Sequence, residues 1–130
     1  ALSVINSIAG MAIDLATRRP VLGNVQGGVS GPAIKPIALL KVRQVWEVAA
    51  PQRVPIIGQG GIASASDALE FLVAGASAVG VGTGLFYDPL LCPKINAGIA
   101  DYLREAGMHS VSELTGSLVT TPQPAPCTAS

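Results

Sequence analysis

Four short clusters hold the residues of this chain that could do chemistry. They are Asn6-Ser7, the run Gly27-Gly28-Val29-Ser30-Gly31-Pro32, the run Gly58-Gln59-Gly60-Gly61, and Gly82-Thr83. The last three are glycine-rich turns at or just beyond the end of an apolar or sheet-like segment. A backbone that must approach a phosphate closely, or adopt a positive φ, needs glycine. Phosphate is also favoured where unpaired N–H groups point out of a helix start. Gly60-Gly61 opens onto the helix start Ser64–Asp67, and Gly82-Thr83 onto a short helical turn expected over 84–87. Singly, such glycines only make tight strand-to-helix turns. Three in succession, separated by helix-length segments, point to a phosphorylated cofactor held by consecutive βα loops, where α/β folds collect their ligands.

The elements that must position these clusters follow from apolar spacing. Leu2-Ser3-Val4-Ile5 reads as a short buried strand with Asn6-Ser7 at its carboxyl end. Residues 8–25 form a long connection with room for a small hairpin, and a connection of that length is usually functional. Gly27-Gly28 is expected to continue it as a tight turn. Ala33 to Ala49 is expected to be helical, with Pro32 and Pro36 tolerated in the first turn, Ile34, Ile37, Leu40, Val45 and Val48 inward, and Pro51 as the stop. Val54 to Ile57 is a second strand. Ser64 or Ser66 caps the next helix with Asp67 at its positive end. That helix buries Ala68, Leu69, Phe71, Leu72 and Val73 and ends at Gly75. Ala78 to Val81 is a third strand. Pro93 to Ala106 is an amphipathic helix with Ile95, Ile99, Tyr102 and Leu103 inward, and Val111 to Leu118 a last short helix. The order βαβαβα implies parallel strands.

Bulk properties narrow the class. Lys and Arg (8) balance Asp and Glu (8), and charged residues make up only 12% of the 130. A surface so poor in charge is expected to be covered by further barrel strands, a cofactor or a partner subunit. No basic patch of the kind nucleic acid requires is present, and aromatics at 4% are too few for a base-stacking platform. The uncharged stretch from Phe71 to Tyr87 reads as a helix end and a buried strand rather than a membrane span. No secretory signal is visible, so a cytoplasmic location is the default. Cys92 and Cys127 lack metal-type spacing, and no residue set reads as a metal site. Cys92 is expected to pack as a small apolar residue. His109 is expected in solvent and Trp46 in packing. Arg18-Arg19 reads as a solvated loop, with an acidic partner as the other reading. A closed barrel needs about 250 residues and rarely fewer than about 200. The chain is therefore expected to be the C-terminal part of a longer α/β barrel, about three βα units over 1–118, with a disordered Pro-rich tail over 119–130.

Specific spellings then add to this reading. Asn6-Ser7 with Gly10-Met11-Ala12-Ile13-Asp14, the run from Gly27 to Leu39 containing Pro32-Ala33-Ile34-Lys35-Pro36, and Pro55 to Ile62 all resemble the dihydroorotate dehydrogenases. So do Ala74 to Val79, Val81-Gly82-Thr83 and Phe86-Tyr87-Asp88-Pro89. Their order and spacing look most like the NAD-linked class 1B catalytic subunits. The resemblance implies a TIM barrel carrying FMN. It implies that Ile5 lies against the flavin and that Asn6 and Ser7 hydrogen-bond the dihydroorotate or orotate ring. It implies that Gly31 contacts FMN, and that Gly60, Gly61, Gly82 and Thr83 bind the FMN phosphate. Asn6 offers both a donor and an acceptor, as an imide edge requires; its plainer reading is a strand-end Asn capping a turn. The resemblance also implies a homodimer and an electron-transfer subunit carrying FAD and an iron–sulfur cluster, with no nucleic acid and no membrane as partners.

Some residues depart from the family spelling. Ser7 stands where Thr is usual, Gln26 where Thr is common, Gln59 where Met is common, and Gly84-Leu85 where Ala-Asn is typical. The segment 49–53 is a few residues longer. The family's cysteine base and flavin lysines lie upstream of the matching segment, and neither Cys92 nor Lys35 takes those places, so no residue here is assigned as catalytic. Two other readings compete: a segment of a related FMN dihydropyrimidine dehydrogenase, or a non-catalytic truncated fragment.

Overall fold

The computed structural model describes residues 1–120. The tail expected over 119–130, with Cys127 in it, therefore lies outside the described residues except for Val119 and Thr120. Three parallel strands form the central sheet: β1 (Leu2–Val4), β6 (Ile56–Gln59) and β7 (Ala78–Gly80), in the order β1-β6-β7. Leu2 pairs with Ile56 and Val4 with Gly58; Ile57 pairs with Ala78 and Gln59 with Gly80. This register sorts the two faces. Ile56 and Gly58 are buried, whereas Ser3, Ile57 and Ala78, which share one row, are exposed. The second strand starts at Ile56 rather than Val54 and takes in Gly58 and Gln59, which the sequence reading assigned to the turn. The third ends at Gly80, one residue early.

Residues 8–29 form an antiparallel excursion between the first strand and the first helix. Strand β2 (Ile8–Gly10) pairs with β5 (Gly27–Val29), and β3 (Ile13–Asp14) pairs with β4 (Arg19–Pro20). The small hairpin is there, but Gly27-Gly28 is strand and not a tight turn. The reason is the antiparallel partner that β2 offers: Ala9 lies opposite Gly28, and the missing side chain of Gly28 leaves the space that Ser7 fills. Asp14 holds the inner turn together, accepting from the Ala16 amide at 2.9 Å and the Thr17 hydroxyl at 2.7 Å. Arg18 and Arg19 are exposed.

A 3-10 turn over Pro32–Ile34 leads into α1 (Lys35–Ala49), with Pro36 in its first turn, and a second 3-10 turn over Ala50–Gln52 follows it. The inward face of α1 differs from expectation. Ile34, Ala38, Val42 and Ala49 are buried and Val45 packs against them, while Ile37, Leu40 and Val48 are exposed. Positions 34, 38, 42, 45 and 49 keep helical spacing and make one stripe. Its small side chains let the helix sit close on the sheet, and the bulkier apolar residues fall on neighbouring faces.

Helix α2 (Ala65–Ala74) is capped by Ser64, which settles the choice against Ser66. Phe71 is the largest fully buried side chain, and Ala68, Leu72 and Ala74 are buried with it, Leu69 and Val73 only half so. Gly75 ends the helix at φ 128°. Next come α3 (Gly84–Tyr87), α4 (Leu91–Glu105) and α5 (Val111–Leu114), the last shorter than the expected 111–118. Leu91 and Ile95 anchor α4 against α2, and Ile99 and Leu103 are half-buried. Tyr102 is exposed. Cys92 is exposed too, a correction to its expected packing: it follows buried Leu91 directly, and a step of one residue turns a helical side chain by about 100° away from the inward stripe. His109 is exposed. Trp46 packs on Gly75 and Gly116, with the Arg43 guanidinium 4.6 Å over its ring. Among the described residues, no helix is long and apolar enough to cross a membrane, and no group of three or more His, Cys, Asp or Glu gathers as a metal site would.

Candidate functional site

The carboxyl ends of β1, β6 and β7 open onto a cavity of about 230 Å³. Ile5, Asn6, Ser7, Gly31, Gly60, Gly61, Gly82 and Thr83 all line it. These are the eight site residues expected from the sequence, and they arrive from four separate segments. Ser30, Ile34, Gln59, Gly80 and Val81 complete the wall. A second cavity of about 390 Å³ adjoins it, sharing Gly31, Gly61, Gly82 and Thr83 and continuing past Ile62, Tyr87, Asp88 and Leu91.

The backbone around the shared residues leaves several amides without a partner. None of the hydrogen bonds within the described residues uses the amides of Gly61, Ile62, Gly82 or Thr83 as donor. Gly61, Ile62 and Thr83 are buried or half-buried, where amides are nearly always paired, and Gly82 is exposed beside them, so this group of free amides at a cavity is open to an acceptor. Gly61 has φ +78°, and a Cβ there would stand 2.7 Å from the Gly31 carbonyl oxygen and 3.0 Å from the Lys35 Cβ. Gly82, by contrast, faces open space. The Thr83 hydroxyl donates to Ser30 Oγ at 2.8 Å and ties the two loops together across the cavity. These donors suit a phosphate-bearing cofactor.

The helix start that was expected to face the phosphate is already satisfied from within. Asp67 Oδ2 accepts from the Ala63 amide at 3.0 Å and the Ser64 hydroxyl at 2.9 Å, while Ser64 Oγ accepts from the Asp67 amide at 3.1 Å. The positive end of α2 therefore serves its own carboxylate, and the free amides lie one turn upstream. Lys35 Nζ binds Asp67 Oδ1 at 2.6 Å and Glu70 Oε1 at 3.0 Å, so its charge goes to the α1–α2 joint. Burial acts to raise the Asp67 carboxyl, but the hydrogen bonds from Lys35, Ala63 and Ser64 together hold it below the usual carboxylate range. The hydrogen bonds to Asp67 and Glu70 raise the Lys35 ammonium. At the outer rim, Asp88 would repel an anion, but Lys94 Nζ sits 2.6 Å from its Oδ2, offsets the charge and lowers its pKa.

The first strand and the residues after it build another wall of the cavity. Asn6 Oδ1 accepts from the Ser7 amide at 2.8 Å and more weakly from the Ser7 hydroxyl at 3.4 Å. No hydrogen bond among the described residues uses Asn6 Nδ2, so the amide keeps two donors for a ligand. The turn-capping reading of Asn6 is met by its oxygen, while its Nδ2 has no partner among the described residues. Sequence reasoning passed over Ser30 and Gln59 as site residues. Ser30 has no local signal, because its partner Thr83 lies 53 residues away. Gln59 was visible only as a departure from the family spelling.

The family model described as dihydroorotate dehydrogenase matches residues 1–103. The chain is 59% identical over 118 residues to the "Dihydroorotate dehydrogenase B (NAD(+)), catalytic subunit" of Geotalea daltonii, covering 91% of this chain and 38% of that protein. It is 57% identical over 119 residues to the protein of the same description from Porphyromonas gingivalis, covering 92% and 38%. The chain thus spans about two-fifths of the length of these relatives. Among solved structures, the crystal structure of DHODH from Eimeria tenella in complex with ferulenol superposes with a TM-score of 0.72 at 28% identity, over 90% of this chain and 30% of that one. The three-stranded arc is accordingly part of a TIM barrel. On the family match, the identities and the shared fold, this chain belongs to the dihydroorotate dehydrogenase family.

Proposed function

We propose that the chain is the C-terminal part of an NAD-linked dihydroorotate dehydrogenase catalytic subunit, which holds FMN and oxidises dihydroorotate to orotate in pyrimidine synthesis. The observation that carries this reading is the meeting of eight residues from four segments on one cavity. Gly60, Gly61, Gly82 and Thr83 hold the phosphate through backbone amides, and the Thr83 hydroxyl joins them by exchanging its bond to Ser30 for one to the phosphate. Gly31 lines the cofactor's path and Ile5 lies against its ring system. Asn6 and Ser7 orient the substrate ring through the Asn6 amide and the Ser7 hydroxyl. When bound, FMN supplies the acceptor for the hydride that leaves substrate C6. The C5 proton goes to a cysteine base carried, with the flavin lysines, by the upstream part of the barrel. This segment binds and orients, and none of its described residues is assigned as the acid or base. The whole enzyme would be a homodimer with an electron-transfer subunit carrying FAD and an iron–sulfur cluster, in the cytoplasm.

The test is FMN retention, by absorbance after FMN addition and desalting, first on this chain and then on the chain together with its upstream half. Stoichiometric FMN in the complete barrel, with orotate binding and dihydroorotate oxidation, is the expected result. FMN binding without orotate competition would favour the dihydropyrimidine reading. No FMN in either form would leave a non-catalytic fragment.

A further inference from the structure

At the carboxyl edge of the sheet, Ile5, Gln59 and Gly80 lie side by side, with the Ile5 side chain packed against the core. Gln59 pairs with Gly80, and the Ile5 amide donates to the Gln59 carbonyl at 2.9 Å. The Gln59 side chain adds a second bond: Nε2 donates to the Ile5 carbonyl at 3.1 Å in a partly buried setting. One residue thus holds both polar groups of Ile5. The next residue is Asn6, whose only hydrogen bonds among the described residues run to its neighbour Ser7. The substrate-facing pair is therefore tied to the sheet through Ile5 on one side and seated on Gly28 through Ser7 on the other, and Ile5 is fixed through Gln59.

Gly80 belongs to the same device. A Cβ on Gly80 would stand 2.8 Å from Gln59 Oε1 and 3.3 Å from Gln59 Cβ. The glutamine amide thus lies over the bare backbone of the neighbouring strand, and only glycine leaves it there. Gln59 and Gly80 both line the same cavity as Asn6 and Ser7.

From this geometry we infer that Gln59 is a positioning residue for substrate: its side-chain amide, seated over Gly80, sets the Ile5 carbonyl and through it the direction in which Asn6 and Ser7 present their polar groups. The inference rests on the proposed dihydroorotate chemistry. It predicts that orotate affinity depends on the Gln59 amide donor more steeply than FMN retention does, because Ile5 also lies against the flavin whereas the phosphate amides lie in the following loops.

The experiment uses the complete catalytic subunit, this chain with its upstream half, loaded with FMN. Orotate dissociation constants are read from the change in flavin absorbance, and KM and kcat are measured beside them. Gln59→Met keeps length and flexibility but removes the donor, and one hydrogen bond corresponds to a rise of about fivefold in the orotate dissociation constant. Gln59→Glu keeps the reach and sets a carboxylate against the Ile5 carbonyl, so it is expected to weaken orotate further. Gly80→Ala leaves Gln59 in place and displaces its amide; it is expected to match Gln59→Met, and the double variant to be no weaker than either alone, since both break one bond. FMN content is expected to fall by less than orotate affinity does, and the melting temperature to stay near the parent value. Parent-like orotate affinity in Gln59→Met, with FMN retained, overturns the inference and leaves the functional reading intact. Failure of the FMN-loaded parent to bind orotate overturns both.

Discussion

A methyl group on Gly61 separates two roles that glycine can play. It would meet the Gly31 carbonyl oxygen at 2.7 Å, on a backbone at φ +78° that side chains rarely adopt. Gly61→Ala is therefore expected to shift the loop and to weaken FMN by about tenfold or more, read by quenching of flavin fluorescence, with a lower melting temperature. A methyl on Gly82 meets nothing within 4 Å. Gly82→Ala is expected to leave the melting temperature unchanged, so any loss of FMN there reports crowding of the ligand itself. Unchanged FMN binding in both variants would remove these loops from the phosphate site. Asn6 belongs to the same scale. Its free Nδ2 donors predict that Asn6→Ala raises the orotate dissociation constant by about tenfold, as for loss of a hydrogen bond to a charged or strongly polar group, with FMN content unchanged.

The elements are joined by two kinds of contact with different signatures. Phe71, fully buried among α1, α2 and the sheet, sets the apolar joint. Phe71→Ala is expected to cost about 3–5 kcal/mol, measured by urea unfolding, which is enough to threaten a domain of ordinary stability. The polar joint is Lys35 with Asp67 and Glu70. Asp67 has its pKa lowered in the folded chain, so its stabilisation is complete above its ordinary value of 3.8 and is lost as pH falls through the depressed folded value. Lys35 is raised, so its contribution is complete below 10.5 and is lost as pH rises through the raised folded value. Melting temperature against pH is thus expected to fall at the acid end, and Asp67→Asn to flatten that limb. An acid limb unaltered in Asp67→Asn would show that the joint adds nothing beyond packing, as many exposed pairs do.

At the scale of the molecule, the sheet ends in two edges, at β1 and β7. Its inner face leaves Ile57 exposed, and the hairpin leaves Met11, Ile13, Leu15, Val21 and Val25 exposed. The face of α1 beside Leu2 carries the exposed Val48 around a cavity of about 560 Å³. Barrels close their edges and fill their interiors with side chains from the remaining strands, and unpaired edges otherwise pair with other chains. The chain without its upstream half is expected to sediment as a dimer or larger species, and adding that half to suppress this. A clean monomer at high concentration by sedimentation velocity would contradict the expectation.

What the sequence determined by itself was local or spelled in contiguous motifs. The three parallel strands, a serine cap at 64 or 66, the Gly75 stop, the three βα units and the eight cavity residues could be read because apolar period, capping chemistry and family spelling act over a few residues. The tertiary structure decided what depends on partners far along the chain. The Gly27–Val29 segment became strand because β2 lies opposite. The stripe of α1 that faces the sheet was chosen by how closely Ala38 and Val42 let the helix approach. Ser30 meets Thr83 across 53 residues and Gln59 meets Ile5 across 54. Such pairings carry no periodic signal, because they follow from strand register and loop closure, which exist only once the sheet has formed.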